Sequence, residues 1–153
     1  MSTCATILVS AGFDKFVEIV NASPRQAKEA YFKKHSIRAK SSGSGFMKPG
    51  EKMKVRIEKL FNALEQNSDD ELGEEIIRAW LLSKRELLAH ALDFLEIPHV
   101  NGLTEADLTK FEKLNGRESR KLLEHLKNAG TEDDIKIYFS FMGVPNADKL
   151  FKN

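Results

Sequence analysis

The sequence has little of what would cross-link a protein or anchor it in a membrane. Cys4 is the one cysteine in 153 residues, which excludes an internal disulfide framework and any metal site built on several cysteines. No uninterrupted apolar run approaches the ~20 residues that a helix needs to span a bilayer. The apolar stretch in residues 1–9 has no basic residue before it, so we expect neither a secretory signal nor a membrane partner. A cytoplasmic location is the expectation.

The composition is that of a folded domain. Hydrophobic residues make up 41% of the chain and charged residues 31%, so a core and a solvated surface can both be built. This balance differs from that of disordered segments, which are poor in apolar residues. The length suits one ordinary domain, and we predict a single helical domain over residues 1–153.

Helical periodicity dominates the apolar pattern. Ser23-Pro24 is a typical helix start, with the serine as the cap and the proline in the first turn. The clearest amphipathic stretch has apolar residues at i, i+4, i+7, i+8 and i+11, namely Met53, Ile57, Leu60, Phe61 and Leu64. We predict an all-α fold of seven or eight short helices, arranged as a bundle or an orthogonal array.

One segment breaks this pattern. Residues 39–50 contain three glycines, three serines and a proline, which is typical of a flexible loop. The helix that starts at Pro24 is expected to end near His35, before this loop.

Two stretches leave the helix boundaries or the type of element open. Ser83 and Glu86 have the S-x-x-E spacing of a capping box, which predicts a helix break there rather than one long bent helix. Residues 135–141 alternate as a strand would, yet they fit a helix equally well. We favour a helix, because Thr131 and Gly143 are suitable ends and a lone strand would have no pairing partner.

The periodic apolar residues predict the core. It should include Phe16, Val20, Tyr31, Ile57, Leu60, Phe61, Leu64, Ile76, Ile77, Trp80, Leu88, Leu92, Leu95, Phe111, Leu122, Leu126, Phe139 and Met142.

The net charge of +1 conceals an uneven distribution. Residues 1–56 carry 11 Lys/Arg against four Asp/Glu, whereas residues 57–153 carry 13 against 19. Residues 33–56, which we call the basic segment, contain eight Lys or Arg residues and one acidic residue. Such asymmetry indicates an acidic protein or a nucleic acid as partner, although the cations could also simply be solvated. The predicted partner-binding residues are Lys33, Lys34, Arg38, Lys40, Phe46, Lys48, Lys52, Lys54 and Arg56.

Two R-x-x-x-x-H motifs lie on predicted helices, Arg85 with His90 and Arg120 with His125. Residues five apart lie roughly 140° apart around a helix, so each Arg and His flank a face instead of stacking. The spacing resembles the R-x4-6-H motif of the HEPN ribonucleases. In that family the Arg and His of two subunits meet across a dimer cleft and cleave RNA without a metal. The resemblance covers six residues per motif and the helical class, and it implies these four residues as catalytic groups.

Metal and cofactor chemistry find little support in the sequence. Glu86 and His90 are i, i+4, but they supply two ligands where three or four are needed. We therefore expect no metal site, no cofactor and no catalytic residue. The first hypothesis is a non-enzymatic interaction or adaptor protein that uses the basic segment. The alternatives are a HEPN-type ribonuclease, which requires a dimer, and a structural subunit of a larger complex; the oligomeric state stays open.

Overall fold

The computed structural model describes residues 3–42, 52–67 and 70–151. The regular elements of that part of the chain are helices, and strand-like pairing there is limited to one isolated bridge between Val100 and Leu103. The all-α prediction is confirmed. The described chain divides into two compact units, of which the N-terminal unit is Thr3–Ser83 and the C-terminal unit begins at Lys84. That the whole chain forms one domain stays a prediction.

The described part of the N-terminal unit is built from helices. They are α1 (Cys4–Ala11), α2 (Phe13–Ala22), α3 (Arg25–Ser42), α4 (Met53–Asn67) and α5 (Asp70–Leu81). The break between α1 and α2 falls at Gly12, whose φ of +94° is a conformation that favours glycine. Thr3 caps α1, because its hydroxyl oxygen accepts a hydrogen bond from the amide of Thr6 at 3.1 Å.

The core of the N-terminal unit lies where α1, α2 and α3 pack against α4 and α5. Its fully buried side chains include Leu8, Phe16, Ile19, Tyr31, Leu60, Ile76, Ile77 and Trp80. α1 and α5 approach closely at Gly73, where an added Cβ would lie 2.8 Å from the amide nitrogen of Ala5. The carboxylate of Asp70, at the start of α5, accepts hydrogen bonds from the first amides of α1, those of Cys4 and Ala5. The start of α1 is therefore capped by a side chain of α5.

The C-terminal unit contains α6 (Arg85–Phe94), a 3-10 helix (Thr109–Lys113), α7 (Gly116–Leu126), α8 (Glu132–Met142) and α9 (Ala147–Leu150). α6 packs on α7, while α8 packs on α9 and on the 3-10 helix. Asn115 and Glu118 form a reciprocal capping box at the start of α7. α8 begins after its cap Thr131 and ends at Gly143, which is left-handed at φ +78°. The choice of a helix for residues 135–141 is thus confirmed.

A tight turn follows α6 and is held by one imidazole. The Nε2 atom of His99 lies 2.6 Å from a carboxylate oxygen of Asp93, and its Nδ1 atom accepts a hydrogen bond from the amide of Gly102 at 3.0 Å. Gly102 has a φ of +84°, and a Cβ there would lie 2.9 Å from the carbonyl oxygen of Arg85. The turn therefore requires glycine at this position.

The predicted helix break near Ser83 is confirmed, but the prediction that Ser83 caps the following helix is wrong. The hydroxyl of Ser83 donates to the carbonyl oxygen of Trp80 at 2.5 Å and so satisfies the end of α5. The residue that flanks the start of α6 is Lys84, which makes no side-chain cap hydrogen bond. Ser83 lies one position too early to cap a helix that begins at Arg85.

Two further expectations need correction. α3 extends to Ser42, so residues 39–42 of the predicted Gly/Ser loop are helical, since alanine and lysine support helix propagation. Residues 43–50 of that loop lie outside the described part of the chain. Phe61, Leu95 and Met142 are half-buried rather than core residues, whereas the other predicted core residues are buried.

None of the described helices has both the length and the apolar character that a membrane-spanning helix needs.

Candidate functional site

The described cations of the basic segment lie on α3 or at the start of α4, in the N-terminal unit. Lys33 is exposed on α3, and Lys52 and Lys54 are exposed at the start of α4. α3 and α4 pack on each other, so the part of the basic segment on α3 and the part at the start of α4 belong to neighbouring helices. We call these two parts its arms. Three further predicted residues, Lys34, Arg38 and Lys40, also belong to α3. The predictions for Phe46 and Lys48 lie outside the described residues.

Arg56 differs from the exposed Lys33, Lys52 and Lys54, because it is held against the protein. Its guanidinium carbon lies 5.8 Å from the centre of the Phe32 ring, and Phe32 is buried. Its Nε atom is buried and has no hydrogen-bond partner among the described residues. The stacked guanidinium thus joins α4 to α3. We infer that Arg56 mainly holds the two arms of the basic segment together.

In the C-terminal unit, α6 and α7 bring the two histidines of the R-x-x-x-x-H motifs side by side. The ring centres of His90 and His125 are 5.7 Å apart, and that of Phe94 lies 5.2 Å from His125. Glu86 is 3.9 Å from the Nε2 atom of His90, which is longer than a hydrogen bond. The three rings form a continuous row, which we call the aromatic row.

The two arginines of these motifs are not brought together in the same way. The start of α6 lies by the end of α7, since a Cβ added at Gly130 would be 3.4 Å from the side chain of Leu87. Phe94, at the end of α6, lines a groove together with Gly116 and Arg117 at the start of α7, so the two helices run antiparallel. At 1.5 Å of rise per residue, each arginine lies ~7.5 Å along its helix from its histidine, in opposite directions. Arg85 and Arg120 are consequently separated by roughly 15 Å along the helix pair. Within one chain, therefore, the two histidines lie together and the two arginines lie apart.

A groove of about 890 Å³ opens beside the aromatic row. Its lining residues come from α6, α7, the α8–α9 turn and α9: Phe94, Gly116, Arg117, Arg120, Lys121, Glu124, Pro145, Asn146, Lys149 and Leu150. Four of them are cations and one is an acid. We call this feature the cationic groove. The sequence prediction named Arg120 only as a partner of His125. The i, i+3, i+4 spacing of Arg117, Arg120 and Lys121 was the signal that could have indicated a charged face.

The single thiol is poorly suited to nucleophilic chemistry. Burial, together with the negative charges of Asp70 and Glu74, raises the pKa of Cys4 to about 11. At neutral pH the side chain is therefore a protonated thiol, whereas nucleophilic attack needs the thiolate. No group of three or more His, Cys, Asp or Glu side chains with the spacing of a metal site occurs in the described ranges.

Comparisons with known proteins yield no relationship for this chain. No protein-family model, no curated protein and no solved structure matches it.

Proposed function

We propose that this chain is a non-enzymatic interaction protein that binds an acidic protein or a nucleic acid through the basic segment. The observation that carries the proposal is the placement of exposed Lys33, Lys52 and Lys54 on two helices that pack together. A reducing compartment such as the cytoplasm suits a chain with one unpaired cysteine, Cys4.

The chemistry of these side chains supports charge-based recognition. Lysine ammonium groups are strongly hydrated point charges on flexible stems, so they attract anions without imposing a fixed geometry. Such a surface accelerates association with an oppositely charged partner and contributes binding energy by releasing counterions from a polyanion. Arg56 supports this role indirectly, because its stacking on Phe32 ties α4 to α3.

The test compares two variants of the full chain that lose the same charge. In the first, Lys33, Lys52 and Lys54 are replaced by Gln. In the control, three exposed lysines of the C-terminal unit are replaced by Gln, namely Lys110, Lys113 and Lys136. Both are used in a gel shift with mixed single- and double-stranded nucleic acid at two salt concentrations, and in a pull-down with and without nuclease.

A nucleic-acid partner predicts that only the first variant binds more weakly. Its log-log salt slope should flatten by about 2 to 3, since each lost phosphate contact removes 0.7 to 0.9. An acidic protein partner predicts a slower association rate in that variant and a pull-down that resists nuclease. Equal behaviour of the two variants in both assays would refute the proposal.

The second candidate is a metal-independent ribonuclease, which the approach of His90 to His125 favours. The separation of Arg85 from Arg120 within one chain means that a site of the HEPN type would need a dimer. Light scattering during size-exclusion chromatography distinguishes the two candidates, because a monomer contradicts the ribonuclease and agrees with the adaptor.

A further inference from the structure

We propose that the cationic groove of the C-terminal unit binds single-stranded nucleic acid, with phosphates on its cations and a base on the aromatic row. This site is separate in sequence from the basic segment, and it does not rest on the function proposed above. Its volume of about 890 Å³ lies within the range of ligand-binding pockets in proteins.

The first argument is the lack of charge neutralisation. Among the described side chains, Arg117, Arg120, Lys121 and Lys149 have no ion-pair partner. The one acid of the groove, Glu124, is already bonded to Lys127 at 3.0 Å. Elsewhere surface cations do find partners within their helices, as Arg25 does with Glu29 and Arg78 does with Glu74.

The position of the cations along α7 strengthens this argument. Arg117 is i, i+3 from Arg120 and i, i+4 from Lys121, so the three side chains share one helix face. Like charges at these spacings repel each other, and a bound anion relieves the repulsion. Guanidinium groups also match the geometry of phosphate oxygens through paired hydrogen bonds. The groove is therefore better suited to several phosphates than to solvent alone.

The second argument is the aromatic row at the edge of the groove. Phe94 lines the groove, is 36% exposed, and contacts the ring of His125. An exposed aromatic ring beside cations is the combination on which single strands bind, because an unpaired base stacks on the ring while its backbone follows the charges. A duplex hides its base faces, and an acidic peptide would leave the ring without a role.

The experiment measures fluorescence anisotropy of a labelled single-stranded 12-mer RNA with the full-length protein. The same sequence as a duplex and a polyglutamate peptide serve as competitors. The charge variant carries Arg117→Gln and Arg120→Gln, and the stacking variant carries Phe94→Leu. The matched control, Lys113→Gln with Lys136→Gln, removes two exposed charges of the same unit outside the groove.

We expect the charge variant to bind at least about tenfold more weakly and its salt slope to flatten by about 1.4, two phosphates at 0.7 each. The stacking variant should weaken single-strand binding by at least about fivefold and leave the salt slope unchanged. The control should bind as the wild type does. Circular dichroism verifies that each variant is folded.

Three outcomes would overturn the inference. Unchanged affinity in the charge variant would show that the groove does not hold the strand. Equal competition by polyglutamate, with no effect of Phe94→Leu, would identify an acidic peptide as the better ligand. Loss of binding only in the variant of Lys33, Lys52 and Lys54 would place nucleic-acid binding on the basic segment, leaving the first proposal intact.

Discussion

Gly73→Ala tests whether the close packing of α1 on α5 outweighs helix propensity. Alanine is favoured over glycine inside a helix by ~1 kcal/mol, so propensity alone predicts stabilisation. The new Cβ, however, would lie 2.8 Å from the amide nitrogen of Ala5 and 3.0 Å from the carbonyl carbon of Cys4. Both are backbone atoms, so α1 must move as a whole, and overpacking of this kind costs ~1–3 kcal/mol.

Movement of α1 carries a second cost. It lengthens the hydrogen bonds from the first amides of α1 to the carboxylate of Asp70, and bonds to a charged group contribute ~1.5–3 kcal/mol each. Complete loss of one such bond exceeds the gain in propensity. We expect Gly73→Ala to lower the free energy of unfolding by ~1–3 kcal/mol.

The assay is urea unfolding followed by the fluorescence of Trp80, which is fully buried in the same unit, and by circular dichroism, which reports on the helices of both units. The control is Gly116→Ala at the start of α7, where an added Cβ meets nothing within 4 Å. It should leave the stability unchanged or raise it slightly. A Gly73→Ala variant that unfolds at the same or a higher urea concentration than the wild type would refute the packing argument.

Four further predictions concern single residues. Trp80→Ala should destabilise by ~3–5 kcal/mol, and the wild-type emission should be blue-shifted from that of indole in water, because the ring is fully buried. Asn115→Ala should cost ~1 kcal/mol in urea unfolding, since it removes a capping box. RNA incubated with EDTA should stay intact with the wild type and with His90→Ala or His125→Ala, and cleavage that either change abolishes would promote the ribonuclease. Cys4, with a pKa of about 11 against 9.0 for a free thiol, should react slowly with iodoacetamide at pH 9, and its contribution to stability should fall as pH rises from 9 to 11.

Local signals were sufficient for most of the fold. Thr131 caps α8, and Gly143 ends it in the left-handed region, as their positions in the sequence suggested. The strand-like alternation in residues 135–141 has a tertiary cause. Ile135, Ile137 and Phe139 are all buried, so α8 is covered on more than one side and its apolar residues do not follow a single helical stripe.

The cap predicted at Ser83 was wrong because two hydrogen-bond partners compete for the same hydroxyl group. The S-x-x-E pattern at Ser83 predicts a cap for the next helix, but the hydroxyl instead bonds the nearer carbonyl of Trp80 at the end of the previous one. Spacing alone cannot decide between a donor role and an acceptor role for a serine placed between two helices.

The cationic groove could not be predicted in full because its lining converges from distant parts of the chain. The i, i+3, i+4 cations of α7 were visible in the sequence. Phe94 and Lys149, which are 55 positions apart, come together only through the packing of the C-terminal unit. The proximity of His90 to His125 likewise depends on the antiparallel pairing of α6 with α7.

The turn after α6 couples the shape of the backbone to the tautomer of one ring. Nδ1 of His99 accepts the amide hydrogen of Gly102, so the ring hydrogen of this tautomer lies on Nε2, where it faces the carboxylate of Asp93. The backbone of the turn thus dictates which nitrogen of the imidazole is the donor and which is the acceptor.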